Sequence, residues 1–208
     1  MALGDPYVSV EELKAYLHGG EPTQTQTNRY DDLLQDAIAS VTFEINKVTD
    51  RQFNRSDDTS RREYEGYRSV RRYRDPVTKG ERYEVIVDDF WTTDGFELEV
   101  DGTAVTGARL YPLNGVVSGV PGWPFWRIRH ESITRSSLIA VTAKWGWAQV
   151  PPDIKEACKI QSAQTYRLKN SQFGVAGTSE FGHAMAIRDN SMAMSKINRY
   201  RRKAVRIG

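Results

Sequence analysis

The apolar residues of this chain change their period twice. Near both ends they recur at the spacing of an amphipathic helix, and in the middle they alternate with polar residues as in a half-buried strand. Helix, then sheet, then helix, with the β part as an insertion, is the order of an α+β protein. The pattern divides the 208 residues into three: 1–53, the N-terminal helical part of a core; 54–150, an inserted antiparallel β-sheet or small barrel; and 151–208, the C-terminal helical part with a basic end. On this reading the chain is one helical core interrupted by a sheet.

Ser9-Val10-Glu11-Glu12 is a capping box, in which the Ser hydroxyl and the Glu carboxylate each satisfy an orphan amide of a helix start. The short helix that follows is expected to bury Val10, Leu13 and Leu17 and to stop at Gly19-Gly20. Glu21 to Asn28 reads as a polar loop. A longer helix is expected from near Asn28, with Asp31 and Asp32 against the positive end of its dipole. Leu34, Ile38, Val41, Ile45 and Val48 form one apolar face, and the helix should end near Arg51 or Phe53.

In the middle region Phe96, Leu98 and Val100 alternate with Glu97, Glu99 and Asp101, and Asp101-Gly102 then turns the chain toward Val105, a hairpin signal because the turn needs positive φ. Tyr83–Val87, Arg109–Leu113, Trp126–Arg129 and Leu138–Trp145 are further strand candidates, rich in β-branched and aromatic residues. Gly115 to Pro124, dense in Gly and Pro, reads as a surface excursion. Helical spacing resumes at Pro151-Pro152-Asp153, since proline fits a first helical turn. Its expected buried stripe is Ile154, Ala157, Cys158, Gln161, Thr165 and Leu168, with an end near Lys169. Ser171 to Gly182 is a glycine-containing loop. Asp189 or Asn190 can cap a last helix through Met192, Ile197 and Tyr200.

A search for chemistry turns up no catalytic constellation. His18, His130 and His183 lie in unrelated segments without metal-ligand spacing, so they read as surface or loop residues, and no cofactor or metal is expected. Gly174-Val175-Ala176-Gly177-Thr178 lacks the Lys-Ser/Thr pair that grips phosphates. Cys158, the lone cysteine, rules out an internal disulfide and reads as a small core residue. Asp57-Asp58 and Asp88-Asp89 read as turn residues, being adjacent rather than staggered as calcium ligands are. No run of about 18 apolar residues occurs, and Met1–Pro6 lacks a signal pattern, so a soluble protein of a reducing compartment is expected. Aromatics at 11% suffice for a core, and an enzyme is not expected.

Charge carries more. The net value of +2 hides a gradient: residues 1–50 hold three Lys/Arg against nine Asp/Glu, and residues 151–208 hold eleven against four. The basic tail reads either as a solvated helix end, with cations at the negative pole of the dipole, or as an arm for an acidic partner or for nucleic-acid phosphates. Arg61, Arg62, Arg68, Arg71, Arg72 and Arg74, interleaved with Tyr64, Tyr67 and Tyr73, would also suit RNA or DNA, although Glu63, Glu65 and Asp75 dilute them. A nucleic-acid-binding protein using these arginines is therefore the alternative function.

Two stretches resemble a known family. Val8 to Leu17 followed by Asp31 to Ser40 resembles the start of tailed-phage head–tail connector (adaptor) proteins. Val141-Thr142-Ala143-Lys144-Trp145-Gly146-Trp147, running into Val150-Pro151-Pro152-Asp153-Ile154-Lys155-Glu156-Ala157, resembles their strand-to-helix junction. Tyr166 to Ser171, Phe173 to Gly177 and the closing Tyr200-Arg201-Arg202 continue the likeness, which covers about half of the chain and is nearest the longer versions in phages of actinobacteria.

The resemblance implies a structural virion protein made in the host bacterial cytoplasm. It would be a dodecameric ring at the head–tail interface, the neck, between the portal protein and a stopper or tail-completion protein. Genomic DNA would pass through its channel without sequence recognition. An arm of Lys196, Arg199, Tyr200, Arg201, Arg202, Lys203 and Arg206 would dock on the portal, and the stripe Leu34, Ile38, Val41, Ile45 and Ile154 would serve subunit packing. An acidic head meeting a basic tail would be the heterologous contact that a closed ring needs.

Overall fold

The computed structural model describes residues 4–18, 31–75, 78–170 and 190–202. Expectations for Gly19-Gly20, the polar loop 21–28, a start at Asn28, the loop 171–182, the segment 174–178, His183, Lys203 and Arg206 fall outside these residues, as do those for the side chains of His18 and Leu168. The chain forms two compact units, Gln52–Gln149 and a helical one from Asp5–Arg51 with Val150–Arg202. The class is α+β.

In the helical unit, α1 (Val10–His18) starts on the capping box: the Glu12 amide donates to Ser9 Oγ at 3.1 Å and the Ser9 amide to a Glu12 carboxylate oxygen at 3.0 Å. Leu13 is fully buried, whereas Val10 and Leu17 are only half-buried. Helix α2 (Asp31–Thr49) buries Leu34, Ala37, Ile38, Val41, Thr42 and Ile45. It ends earlier than expected, because Asp50 turns left-handed (φ 53°) and the Arg51 amide closes back on the Asn46 carbonyl at 3.3 Å. Helix α4 (Pro152–Asn170) and helix α5 (Ser191–Asn198) complete the unit. In α4, Ser162 and Ala163 are buried while Gln161 and Thr165 stay half-buried. Asn190 caps α5 by accepting from the Met192 and Ala193 amides at 3.0 and 3.3 Å. Ala193 and Ile197 form its buried face. Met192 is 61% exposed, and the helix ends at Asn198, short of Tyr200.

The Gln52–Gln149 unit contains two four-stranded antiparallel sheets rather than one sheet or a barrel. Their strands are β1 (Ser60–Glu65), β2 (Val70–Arg74), β3 (Glu81–Phe90), β4 (Glu97–Val100), β5 (Thr103–Val105), β6 (Arg109–Tyr111), β7 (Phe125–Arg129) and β8 (Leu138–Ala143), with a one-turn helix α3 (Gly66–Ser69) between the first two. One sheet has the order β1-β8-β4-β5 and the other β2-β3-β7-β6. The expected hairpin is present: Asp101 (φ 52°) and Gly102 (φ 79°) are both left-handed between β4 and β5, the two-residue turn that matches strand twist. Strands β1 and β2 were not expected. Inner-face residues of both sheets form one core: Val70, Val85 and Ile128 from one, Leu98, Val100, Ile139 and Val141 from the other, with Phe90 and Trp145.

The Trp-Gly-Trp segment locks this unit together. The Trp145 indole donates to the Ser60 carbonyl at 2.8 Å, and the Trp147 indole donates to the buried Asp89 carboxylate at 2.8 Å. Between them Gly146 (φ 98°) lies so close to the chain at Asn54 that an added Cβ would sit 1.7 Å from the Asn54 carbonyl oxygen. Only glycine fits there.

Candidate functional site

Cross-strand neighbours share a face of a sheet and alternate residues point to opposite sides. Register therefore decides where the charged strand residues go. In the β2-β3-β7-β6 sheet, Val70, Val85, Ile128 and Leu110 align on the inner face. The row beside it on the outer face is Arg71, Glu84, Arg129 and Arg109, flanked by Tyr73 against Arg82 and by Ile86, Arg127 and Tyr111. Five arginines thus share one face with one carboxylate from the strands.

That carboxylate organises them. Glu84 is only 1% exposed and accepts from Arg71 Nε on one oxygen and from Arg129 Nε (2.6 Å) on the other, with Arg127 at 3.9 Å. The Arg129 guanidinium lies 3.8 Å from the Tyr73 ring centroid and 4.1 Å from that of Tyr111, a cation held against two aromatic faces. Burial pushes the Arg127 pKa down, and Glu84 opposes that shift. Asp75, beyond the end of β2, answers Arg82 at 3.7 Å. Arg109 is exposed.

The other sheet is the electrostatic opposite. Its inner face carries Arg62, Val141 and Leu98 in one row and Tyr64, Ile139 and Val100 in the next. Its outer face carries Arg61, Thr142 and Glu97, then Glu63, Ala140 and Glu99, then Glu65 and Leu138. Arg61 is shared between Glu63 and Glu99 (3.0 Å), and Glu65 meets Arg68 at 3.5 Å. Lys144 is matched by Asp94. Glu97 is exposed at one end of this face, and Leu138, a large apolar residue 47% exposed, lies opposite the exposed Glu65 at the other.

The Arg/Tyr run between 61 and 74 is therefore not one patch. Arg61 lies on the acidic face, and Arg62 stacks over Trp145 (4.4 Å) while bonding Asp88 at 2.7 Å. Arg72 pairs with Glu81 at 3.1 Å, and only Arg71 and Tyr73 join the basic face. Asp88 and Asp89 lie in β3 rather than in a turn. The Tyr64 hydroxyl donates to Asp88 at 3.1 Å, and burial raises its pKa, keeping the phenol protonated. Asp57, in contrast, is an exposed residue pairing with Arg55 at 3.0 Å. His130 accepts from the Ser132 amide in its own loop and bonds the Thr106 carbonyl in the β5–β6 connection.

The residues expected to form a docking arm are placed differently. Lys196 bonds Asp153 (3.2 Å) and Glu156 (2.7 Å) on α4, and Arg199 reaches Asp153 at 3.5 Å. The Tyr200 carbonyl accepts from Arg51 Nε at 2.7 Å, and the Arg202 amide donates to the Thr49 carbonyl at 2.9 Å. Residues 196–202 are thus tied into the helical unit rather than held out as an arm, with Arg201 exposed among them. The stripe expected to pack subunits is also corrected. Leu34, Ile38, Val41, Ile45 and Ile154 are each 3% exposed or less within one chain, so they form its own core and leave nothing for a neighbour.

Among the described residues no group of His, Cys, Asp and Glu is placed to hold a metal, and no helix is long and apolar enough to cross a membrane.

No protein-family model and no curated protein matches this sequence. Solved structures do match the fold. A chain in the neck of an empty GTA particle, computed with C6 symmetry, superposes with a TM-score of 0.52 over 96% of this chain and 91% of its own, at 20% identity. A chain in the virion of a native gene transfer agent particle gives 0.52 over 99% and 94%, at 18% identity. At that identity the likeness establishes a shared fold, and it spans both units of the chain.

Proposed function

We propose that this chain is a structural protein of a virion neck: a head-to-tail adaptor that forms a ring between the portal protein and a stopper or tail-completion protein. The observation that carries the reading is the extent of the likeness to a neck chain, 96% of one and 91% of the other. A match of that extent includes the β insertion as well as the helices. Neck particles with rotational symmetry need repeated copies, and a dodecamer around a DNA channel is the arrangement proposed, with assembly following synthesis in a bacterial cytoplasm. The two oppositely charged sheet faces suit protein contacts better than a polyanion track, since the acidic face would repel DNA.

Portal docking is assigned to Arg201, Lys203 and Arg206, with Lys196, Arg199, Tyr200 and Arg202 positioning that segment on α2 and α4. The test is electron microscopy of the purified protein mixed with portal rings. The wild type should stack on the portal as a coaxial ring, and R201E/K203E/R206E should fold yet fail to stack. Absence of stacking by the wild type refutes the adaptor role. Normal stacking by the triple variant refutes the docking assignment. Binding of short duplex DNA that collapses steeply with salt would favour the nucleic-acid reading instead.

A further inference from the structure

The two outer faces of the β unit belong to one sandwich, since the inner faces of both sheets share a core. They therefore point away from each other, one basic and one acidic. The basic face is also preorganised: Glu84 and the Tyr73 and Tyr111 rings hold Arg129 and its neighbours in place, so docking would order few further rotamers. The acidic face offers the exposed Glu63, Glu65 and Glu97, with the exposed apolar Leu138 opposite Glu65. Complementary surfaces on opposite sides of one body make a heterologous contact, which repeats from copy to copy and closes into a ring when the rotation permits.

We propose that the outer face of β2-β3-β7-β6 in one copy docks on the outer face of β1-β8-β4-β5 in a second copy of this chain. The proposal rests on the neck-ring reading for the number of copies only. It moves the head-to-tail charge contact from the chain ends, where Lys196 and Arg199 are matched within their own subunit, to the faces of the sandwich.

The test is charge reversal followed by mixing, measured on this chain alone by sedimentation at low ionic strength. R82E/R109E cancels the net positive charge of the basic face, leaving three arginines against three carboxylates, and E65K/E97K turns the acidic face basic. Neither pair includes a residue bonded to Glu84. Each variant alone should self-associate at least about tenfold more weakly than wild type, because opposite charges no longer meet across the contact. An equimolar mixture should recover association as a heterodimer, since the unaltered basic face of E65K/E97K still complements the unaltered acidic face of R82E/R109E. Wild-type chain that stays monomeric at about 100 μM, a variant that associates like wild type, or a mixture that does not recover would each overturn the proposal. So would loss of DNA affinity in R82E/R109E with self-association unchanged. No portal enters the measurement, so this contact and the adaptor role fail separately.

Discussion

Glu84→Gln isolates what the buried carboxylate contributes. Glutamine keeps the volume, so no cavity opens, but one carboxylate oxygen becomes an NH2 that must face either Arg71 Nε–H or Arg129 Nε–H, donor against donor. One hydrogen bond to a charged group is lost, worth about 1.5–3 kcal/mol, and the other, still donated by a guanidinium, is weakened by loss of the carboxylate's charge. Arg71 is 39% exposed and can rehydrate, whereas Arg129 (18%) and Arg127 (25%) are less free to do so. The expected loss is about 3 kcal/mol, the low end of the range for breaking a buried pair. For a cooperative unit of about 100 residues this lowers the melting temperature by roughly 12–24 °C. All five tryptophans lie between Trp91 and Trp147, so indole fluorescence during urea denaturation reads this unit alone. Glu81→Gln, which weakens the exposed pair with Arg72, serves as the control and should stay within about 0.5 kcal/mol of wild type. If E84Q costs no more than E81Q, the carboxylate does not hold the basic face together.

Gly146→Ala should destabilise by more than about 4 kcal/mol or prevent folding, because its Cβ would overlap the Asn54 carbonyl; Gly102→Ala, at positive φ with open space around it, should cost only about 1–2 kcal/mol. Near-UV circular dichroism of the tryptophans checks both, and a native spectrum with near-normal stability for G146A would refute the close approach. Cys158 is fully buried and its thiol is pushed up to about 11 by that burial, so thiol reagents at pH 8 should leave it unmodified until the protein is denatured. The sign for stability follows: the unfolded thiol ionises near pH 9 while the folded one stays protonated, so this contribution is complete below about pH 9 and is lost as pH rises toward about 11. Stoichiometric labelling of the native protein within minutes would contradict the burial.

How much of this could be read from the sequence depends on where each signal is stored. The Ser9/Glu12 box, the α2 stripe and the Asp101-Gly102 turn are local, made by residues within four positions of one another, and the structure contains each of them. Strands β1 and β2 are not local in that sense. Ser-Arg-Arg-Glu-Tyr-Glu and Val-Arg-Arg-Tyr-Arg have almost no apolar alternation, because each lies at the edge of its sheet and its pairing with β8 or β3 supplies the order. The charged faces were hidden for a related reason. Glu63 and Glu97, or Arg71 and Arg109, meet only through register across strands distant in sequence. The basic tail misled because Asp153 and Glu156, the carboxylates that engage Lys196, lie some forty residues upstream. Burial likewise separated an amphipathic stripe that packs within a chain from one that packs between chains, which periodicity alone does not do.

The place where the chain leaves and returns to the helical unit has a consequence for how it folds. Arg55 bridges Gly146, and the Trp147 amide donates to the Asn54 carbonyl at 3.1 Å, so the two ends of the β insertion are stitched side by side. Helices α2 and α4, which pack on one another, stand about a hundred positions apart in sequence. Joining them across a flexible stretch of that length carries a closure entropy that grows by about 0.6 kcal/mol with each doubling of the loop. Once the stitched insertion has folded, the same helices are linked through a span equivalent to a few residues, about four doublings shorter, which favours their meeting by roughly 2.5 kcal/mol. The continuous β unit can form as soon as it is synthesised. The discontinuous helical unit has to wait for α4, and it then closes over a linker that has already become rigid.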